Sequence, residues 1–342
     1  MLDEVKIAID AMGSDHGPSA IVSGAALSKE RNPSSKYVFF GNEVEIKRET
    51  VKHKILHNSY EIINTEEIIN PEDKPSQAIR KMKNTSMGMS LEHLSKKNVH
   101  AVVSAGNTGA LMGISRLKIK TLAGILRPAI AATVPHSNGE FVLLDLGANT
   151  VCNAENLVQF AIMGTEFAKV VLGKPDPKVA ILNIGTEQEK GKDFIHNAAD
   201  LIKSTYIKNN FIGYVEGNEI TKGVADVVVT DGFSGNIALK TAEGVANLCG
   251  KYIKGLFSNS ITGKLSYYLL KTSLSTLKDK LDPRKRNGAL FLGLNGIVVK
   301  SHGGADDTSF ASAIDIAFEF TQEGVGDKII KGIYDFNHNM RD

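Results

Sequence analysis

A short stretch of small polar residues and glycines, residues 104–109, carries the residue types that bind anions. It follows an apolar, β-rich run at 99–104 and leads into a helical pattern. A strand, a small-residue turn and a helix N-terminus leave backbone N–H groups pointing outwards, at the positive end of the helix dipole. The alternative is a tight strand-to-helix turn that binds nothing. The candidate anion ligands at this turn are Gly106, Asn107, Thr108 and Gly109.

The same combination of glycine and a small polar residue recurs after other apolar runs. It occurs at residues 10–13, 104–107, 145–149, 183–186, 231–232 and 301–303. The carboxyl ends of parallel strands meet at one edge of a sheet, where ligands bind. We therefore expect the six turns to converge on one site.

The elements that must position these turns alternate between strands and helices. Apolar runs predict strands at 5–10, 37–41, 99–104, 127–134, 141–145, 179–184, 225–230 and 296–300, and a further extended piece at 55–63. Helical patterns occur between them, among them a long amphipathic helix at about 155–172. This alternation predicts an α/β fold with a mostly parallel sheet and helices on both of its faces. No Pro- or Ser-rich linker interrupts it, so we expect a single domain over 1–342.

Composition excludes several classes of protein. The chain has 342 residues and a formal net charge of +2, which argues against a dedicated nucleic-acid binder. Cys152 and Cys249 form no CxxC motif, so we expect neither structural zinc nor a disulfide framework. The acidic N-terminus does not read as a signal peptide, and no apolar run approaches the ~20 residues of a membrane-spanning helix. A cytoplasmic setting fits these features.

The motifs of common enzyme classes are missing from the sequence. It contains no GxSxG elbow, no HExxH, no P-loop lysine and no GxGxxG with its downstream acid. The sequence therefore shows no obvious protein nucleophile and gives little support for a dinucleotide. Four aspartates could hold Mg²⁺, but aspartates at strand ends more often orient turns; they are Asp10, Asp145, Asp231 and Asp306. Inorganic phosphate could be the nucleophile, because its second pKa of about 6 leaves it mostly dianionic at neutral pH. A thioester would suit it as the electrophile, since a thiol of pKa ~8.5 is a good leaving group.

Six segments match one family pattern, in order and over nearly the whole chain. They are AIDAMGSDHGP (8–18), KPSQAIRKMKNTSM (74–87), VSAGNTGALM (103–112), LLDLGANT (143–150), LNIGTEQEKG (182–191) and ADVVVTDGFSGNIALKTAEG (225–244). On these segments the sequence resembles the PlsX-type phosphate acyltransferases. The resemblance implies reversible acyl transfer from acyl-(acyl carrier protein) to inorganic phosphate in bacterial phospholipid synthesis. It also implies a three-layer Rossmann-like fold related to phosphotransacetylases and isocitrate-dehydrogenase-like enzymes.

Further implications of the resemblance concern partners. It implies a homodimer without a cofactor that is attached peripherally to the inner face of the membrane. The downstream acyltransferase that forms acylglycerol phosphate would be a neighbour there.

The roles of individual site residues are hypotheses. The 106–109 turn would bind phosphate or the oxyanion, and His302 would donate to the thioester carbonyl or the departing sulfur. We place Asp231, Ser234 and Asn236 in the same pocket with Lys240, and count His302, Asn107, Asp231 and Asn236 as the catalytic candidates. The remaining candidates for phosphate or substrate binding are Asp10, His16, Asn149, Lys190 and Asp306.

Some of these residues have plain structural alternatives. His302 could cap its turn, His16 could fix the DHGP turn, and Lys190 could be a solvated lysine. The chain also departs from the family pattern: Ser14 replaces a glycine in DAMGGD, and HGGAD at 302–306 lacks the serine donors of an HGSSD-like block. Backbone N–H groups would have to serve in their place.

Between residues 251 and 288 the chain abandons the alternation. Residues 251–286 hold nine Lys or Arg and two Asp, and Leu270, Leu274, Leu277 and Leu281 recur at helical spacing. A basic amphipathic helical hairpin suits a membrane surface, a dimer contact or an acidic carrier protein. The plain alternative is leucines in the core and lysines in solvent.

Two other functions stay open at this point. One is a coenzyme A-dependent, phosphotransacetylase-like enzyme that acts on a small acyl thioester. The other is a non-catalytic scaffold that holds lipid-synthesis partners at a membrane.

Overall fold

The computed structural model describes residues 2–187, 189–258, 262, 266–272, 274 and 287–339. Its strands are β1 (Val5–Asp10), β2 (Ser35–Gly41), β3 (Tyr60–Asn64), β4 (Ala101–Ser104), β5 (Ala129–His136), β6 (Gly139–Leu144), β7 (Val179–Leu182), β8 (Phe211–Val215), β9 (Val227–Val229), β10 (Ala289–Leu292) and β11 (Ile297–Lys300). Its helices are α1 (Gly17–Arg31), α2 (Glu43–Thr50), α3 (Pro75–Lys81), α4 (Ser86–Ser95), α5 (Thr108–Lys118), α6 (Ala154–Val171), α7 (Asp193–Ile202), α8 (Gly232–Ser258), α9 (Asp307–Glu323) and α10 (Val325–Asn339).

Within the described residues, the strands form one eleven-stranded sheet in the order β3-β2-β1-β4-β11-β10-β5-β6-β9-β7-β8. Neighbours pair in parallel except β11–β10, β10–β5 and β5–β6, which are antiparallel. Three antiparallel steps reverse the strand direction, so β6, β9, β7 and β8 run opposite to β1, β4 and β11. The prediction of a mostly parallel α/β sheet is confirmed.

The reversal separates the glycine turns into two groups. The carboxyl ends of β1, β4 and β11 lie at what we name the first edge, with the turns at 10–13, 104–107 and 301–303. The carboxyl ends of β6, β7 and β9 lie at the opposite, second edge, with the turns at 145–149, 183–186 and 231–232. The expectation that all six turns share one edge is therefore wrong. It would have required β6, β7 and β9 to run in the same direction as β1, β4 and β11.

Helices cover both faces of the sheet and bury its apolar side chains. One face packs against α1, α6, α7, α9 and α10, with side chains such as Phe160, Phe167 and Phe310 fully buried. The other face packs against α3, α4 and α5, through Leu91 and Leu111 among others. These layers give the predicted three-layer arrangement. Its strands are buried on both faces, which explains why their sequences are continuous apolar runs.

Helix starts follow local capping chemistry. Asn153 and Asn156 form a reciprocal capping box at the start of α6. Asn107 caps α5 and Asp306 caps α9 through side-chain oxygens. The helices of the first edge therefore begin at turns whose polar residues are partly committed to capping.

Three local expectations are corrected. The segment 55–63 is not one extended piece, because residues 54–56 form a 3₁₀ turn before β3. Strands β8 and β10 were not expected from the apolar pattern, and β10 contributes two of the antiparallel pairings.

The basic insertion is described only in part. α8 continues to Ser258, residues 266–272 are helical, and Leu270 is 47% exposed. Leu274 is half-buried, whereas Leu277 and Leu281 lie outside the described residues. Among the helices that the structure describes, none combines the length and the apolar character needed to cross a membrane.

Candidate active site

Three polar side chains lie side by side at the ends of neighbouring parallel strands of the first edge. Asp10 of β1 lies opposite Ser104 of β4 in the strand register, and Ser104 lies opposite Lys300 of β11. The Ser104 hydroxyl donates to Asp10 Oδ2 at 2.7 Å and accepts the N–H of Gly106 at 3.1 Å. Carboxylate, hydroxyl and ammonium thus form a row next to the glycine turn.

Lys300 contacts both loops that carry predicted site residues. Its Nζ donates to the carbonyl oxygen of Ala105 at 3.1 Å, at the start of the 105–109 turn. The same Nζ donates to the carbonyl oxygen of Ser301, at the start of the 301–304 loop. The backbone strengthens this junction, because the N–H of Ser301 donates to the carbonyl oxygen of Ser104 at 2.9 Å.

Burial perturbs both ionisable members of this row. Burial lowers the pKa of Lys300 to about 8, although the charges of Asp10 and Asp15 oppose that shift. Burial also raises the pKa of Asp10, against the hydrogen bonds that it accepts from Ser86 and Ser104. Titratable groups with perturbed pKa values at strand ends are typical of functional sites.

The loop after β1 closes this cluster from one side. A Cβ on Gly13 would lie 2.6 Å from the backbone nitrogen of Gly106, so only glycine permits this approach. The N–H of Asp15 and the hydroxyl of Ser14 both donate to the carbonyl oxygen of Gly303, at 2.9 and 3.2 Å. Ser14, which departs from the family pattern, therefore joins two loops of the site.

The side chain of Asn107 is engaged in holding the turn. Its Oδ1 accepts the N–H of Ala110 at 2.9 Å, and its Nδ2 donates to the carbonyl oxygens of Pro71 and Asp73 at 2.6 and 3.2 Å. Both amide hydrogens are thus engaged, and the structure assigns this side chain to capping α5 and pinning residues 71–73. The backbone N–H groups of Thr108 and Gly109 lie in the first turn of α5, where no intrahelical partner exists, and are the donors suited to an anion.

His302 is exposed at the same edge, and its tautomer follows from its contacts. The N–H of Gly304 donates to Nδ1 of His302 at 3.1 Å, so the proton of the neutral ring lies on Nε2. The backbone N–H of His302 donates to Oδ1 of Asn287 at 3.1 Å. The loop therefore presents an Nε2–H donor, as a site that stabilises an oxyanion requires.

Lys240 reaches the first edge from α8. It acts electrostatically on Lys300, and its own Nζ pairs with Glu243 at 2.9 Å. α8 begins at the second edge, and its Leu239 packs against the same face of the sheet as α5. Asn236 lies one helical turn before Lys240 and so shares its side of α8. This helix connects the two edges.

At the second edge, the carboxylate of Asp145 accepts hydrogen bonds from the N–H groups of its own turn. Its Oδ1 accepts from the N–H groups of Ile130, Gly147 and Ala148 at 3.0 to 3.2 Å, and its Oδ2 accepts the N–H of Asn149 at 2.7 Å. Burial raises the pKa of Asp145, although these bonds oppose the shift. The 145–149 turn therefore carries its own carboxylate, which takes up N–H groups that an external anion would need.

The other residues expected at the site are also engaged locally at this edge. Asn149 donates both amide hydrogens, to Asp145 Oδ2 at 2.9 Å and to the carbonyl oxygen of Pro128 at 2.8 Å. Asp231 accepts the N–H and the hydroxyl of Ser234 at 2.9 and 2.8 Å, at the start of α8. We assign Asn149, Asp231 and Ser234 to building this turn rather than to contacting the anion of the first edge.

Two of the three remaining candidates have local partners. Lys190 is exposed and pairs with Glu187 at 2.8 Å, on the loop after β7. Asp306 accepts the N–H and hydroxyl of Ser309 at 2.9 and 2.7 Å. His16 precedes α1 and makes no capping hydrogen bond with its side chain. Across the residues that the structure describes, no group of three or more His, Cys, Asp or Glu side chains could hold a metal ion.

Comparison with known proteins identifies the family. A family model described as "Fatty acid synthesis protein" matches residues 5–328. The phosphate acyltransferase of Rhodospirillum centenum is 46% identical over 329 residues, covering 96% of this chain and 93% of that protein. The chain belongs to the phosphate acyltransferase family. The phosphate acyltransferase of Afipia carboxidovorans is 45% identical over 331 residues, and the match covers 96% of this chain and 94% of that protein.

Solved structures support the fold of this phosphate acyltransferase family member. A phosphotransacetylase from Streptococcus pyogenes matches with a TM-score of 0.63 and 18% identity, over 94% of each chain. The EutD phosphotransacetylase from Staphylococcus aureus matches with a TM-score of 0.60 and 14% identity, also over 94% of each chain. At these identities the likeness concerns the fold alone, and it confirms the predicted similarity of this fold to that of phosphotransacetylases.

Sequence reasoning missed Lys300 and Asp15 as members of the cluster in this phosphate acyltransferase fold. One signal for Lys300 was available, because a lysine ends an otherwise apolar strand, Ile297–Lys300. A charged residue in a strand of this kind needs partners when it is buried. Its neighbours on β1 and β4 could not be known before the strand order.

Proposed function

We infer that this chain transfers a fatty acyl group from a thioester to inorganic phosphate and so forms acyl phosphate for phospholipid synthesis. One observation carries the inference: the first edge places free turn N–H groups, the ammonium of Lys300 and the Nε2–H donor of His302 around adjoining loops. Membership of the phosphate acyltransferase family supports the same reaction.

The proposed reaction needs no protein nucleophile. An oxygen of hydrogen phosphate attacks the thioester carbonyl carbon, the carbon–sulfur bond breaks, and the new carbon–oxygen bond gives acyl phosphate. The proton of hydrogen phosphate ends on the departing thiolate, so the step balances. The N–H groups of Thr108 and Gly109 would hold the phosphate, and Nε2–H of His302 would donate to the carbonyl oxyanion.

Acyl carrier protein is the acyl donor that we propose, since the family resemblance implies it and a basic surface adjoins the site. Helix α3 packs closely on α5. A Cβ on Gly109 would lie only 2.8 Å from Pro75, and one on Gly113 only 3.0 Å from Ile79. Arg80 and Lys83 follow on the exposed side. This surface suits an acidic partner.

Reversing charge on this surface tests the carrier dock. We expect Arg80→Glu with Lys83→Glu to raise KM for the acyl carrier substrate roughly tenfold, more at low than at high salt, because steering is electrostatic. KM for phosphate stays unchanged. Lys203→Glu with Lys208→Glu, exposed and on the other side of the sheet, is the matched control. Equal KM values for the two double variants would exclude this surface as the dock.

A membrane contact and a dimer contact are proposed for the exposed apolar residues of α8 and of residues 266–272. Val245, Leu248, Tyr252 and Leu256 recur at helical spacing on α8 and are 48–73% exposed. A continuous apolar stripe of this kind marks an interaction surface. A lipid surface and a second copy of the chain are both compatible with it. Peripheral attachment at the cytoplasmic face and proximity to the downstream acyltransferase belong to the same proposal.

Sedimentation with anionic vesicles separates these occupants. Tyr268 and Leu269 are 76% and 74% exposed, and we expect Tyr268→Glu with Leu269→Glu to lower vesicle binding roughly tenfold. Val44→Glu, equally exposed on α2, is the control. If vesicle binding persists in the double variant while the molar mass of the protein halves, the residues serve the dimer and not the membrane.

The function itself is tested by incubating the protein with phosphate and either acyl-(acyl carrier protein) or acyl-coenzyme A. Formation of acyl phosphate from the carrier substrate is the expected result. A preference for a short acyl-coenzyme A would favour the phosphotransacetylase-like alternative. Absence of any phosphate-dependent thioester loss would favour the non-catalytic scaffold and overturn the proposal.

A further inference from the structure

Neither the family resemblance nor the steps of the proposed reaction give Lys300 a role. Its ammonium joins the carbonyl oxygen of Ala105, where the turn begins, to that of Ser301, where the 301–304 loop begins. An ammonium group has three hydrogens, so two of them are used in these contacts and one remains. A single side chain therefore connects the turn that would hold phosphate with the loop that presents His302.

The strand register explains why this connection is rigid. Lys300 lies opposite Ser104, and Ser104 lies opposite Asp10, on three parallel strands whose backbones are hydrogen-bonded. The charged groups that act on Lys300 are Asp10 on β1, Asp15 in the loop after it and Lys240 on α8. Asp10 and Asp15 attract the ammonium and Lys240 repels it, so its position depends on these charges as well as on the paired strands.

The relative placement of the two loops matters to the proposed reaction. Phosphate must lie in line with the thioester carbonyl while His302 donates to the carbonyl oxygen, and misplacement by about 1 Å can cost a factor of 10² in rate. Charge-assisted hydrogen bonds from an ammonium are about twice as strong as neutral ones. A protonated Lys300 therefore stabilises the spacing of the loops better than a neutral amine or an apolar side chain.

We propose that Lys300 is a positioning residue for acyl transfer: its ammonium sets the spacing between the 105–109 turn and the 301–304 loop, so that phosphate and His302 act on the same carbonyl. This inference rests on the proposed function. It assigns to Lys300 no contact with substrate, and its effect on turnover passes through the two loops.

Steady-state kinetics of three variants test the proposal. We expect Lys300→Met to lower kcat by roughly 10²-fold while KM for the acyl carrier substrate changes little, because the carrier binds elsewhere. Lys300→Arg should recover part of kcat, since a guanidinium keeps the charge and can reach both carbonyl oxygens. Lys29→Met is the matched control, because buried Lys29 also donates to two carbonyl oxygens, those of Pro33 and Ser35, both at 2.6 Å.

The pH profile gives a readout that a purely structural role would not move. With a pKa of about 8 in the free protein, Lys300 loses its proton as the pH rises through 8, so wild-type kcat/KM should fall there. An arginine does not titrate in this range, so Lys300→Arg should displace this alkaline limb to higher pH. If Lys300→Met does not fold, the Lys300→Arg profile still decides.

Two results would overturn the inference while the wild type makes acyl phosphate. One is a kcat of Lys300→Met within threefold of the wild type. The other is an alkaline limb that is the same in Lys300→Arg as in the wild type. An inactive wild type would instead overturn the proposed function, so the two failures are distinguishable.

Discussion

Replacing His302 by alanine should lower kcat for acyl-phosphate formation by roughly 10²- to 10³-fold, the cost of removing one oxyanion donor. The N–H of Gly304 holds Nδ1, so Nε2–H is the donor that the variant loses. His302→Gln should keep part of the activity, because its side-chain amide can donate from a similar position. The measurement is phosphate-dependent formation of acyl phosphate at saturating substrate.

The control for this experiment is His57→Ala, at another exposed histidine, outside the first edge. It should retain wild-type turnover. Wild-type turnover in His302→Ala would leave His302 as a residue that only caps its own turn, and the oxyanion would need another donor. Asn107→Ala is a useful second variant. Part of the effect of Asn107→Ala should be a lower stability of the protein, since the Asn107 side chain caps α5 and holds residues 71–73.

Replacing Asp145 by alanine should lower the free energy of unfolding by roughly 3–5 kcal/mol, because a buried N–H left without an acceptor costs about 1–3 kcal/mol and several are affected. The variant removes the acceptor of four backbone hydrogen bonds, those donated by the N–H groups of Ile130, Gly147, Ala148 and Asn149. The midpoint of chemical denaturation measures the effect. Asp145→Asn should also destabilise, because its NH2 group would face a donor from Asn149.

Asp200→Ala provides the matched control, since this aspartate pairs with Lys203 on the surface and its side chain is 74% exposed. A surface ion pair contributes about 0–1 kcal/mol, so this variant should unfold close to the wild type. Equal stability of Asp145→Ala and the wild type would contradict the assignment of Asp145 as the internal anion of the second edge. Its turn would then have N–H groups free for an external ligand.

The similar glycine turns of the two edges have different roles. Both carry a glycine-containing turn between a strand and the next helix, at 105–109 and at 145–149. At the second edge a buried aspartate of the same turn accepts its N–H groups. At the first edge the row of Asp10, Ser104 and Lys300 engages the N–H of Gly106, and the N–H groups of Thr108 and Gly109 remain for a ligand. The two turns differ in one decisive residue, because the 145–149 turn contains an aspartate and the 105–109 turn contains none.

Predictions from local pattern fared best. The residues of β1 are Val5–Asp10 as expected, and α6 covers Ala154–Val171 where a long amphipathic helix was predicted. Such segments are specified by periodicity and capping, which act within a few residues. Strand β10, Ala289–Leu292, was not expected, because four apolar residues between polar segments give little periodicity.

The sequence by itself determined the family, the α/β class and the residue types of an anion site, because apolar runs, glycine turns and long motif matches are local in the chain. The tertiary structure decided which turns share an edge and which donors stay free. Strand direction depends on the antiparallel pairing of β5 with β10, which joins residues far apart in sequence. For the same reason Lys300 became a neighbour of Asp10 and of the 105–109 turn only when β1, β4 and β11 paired in register.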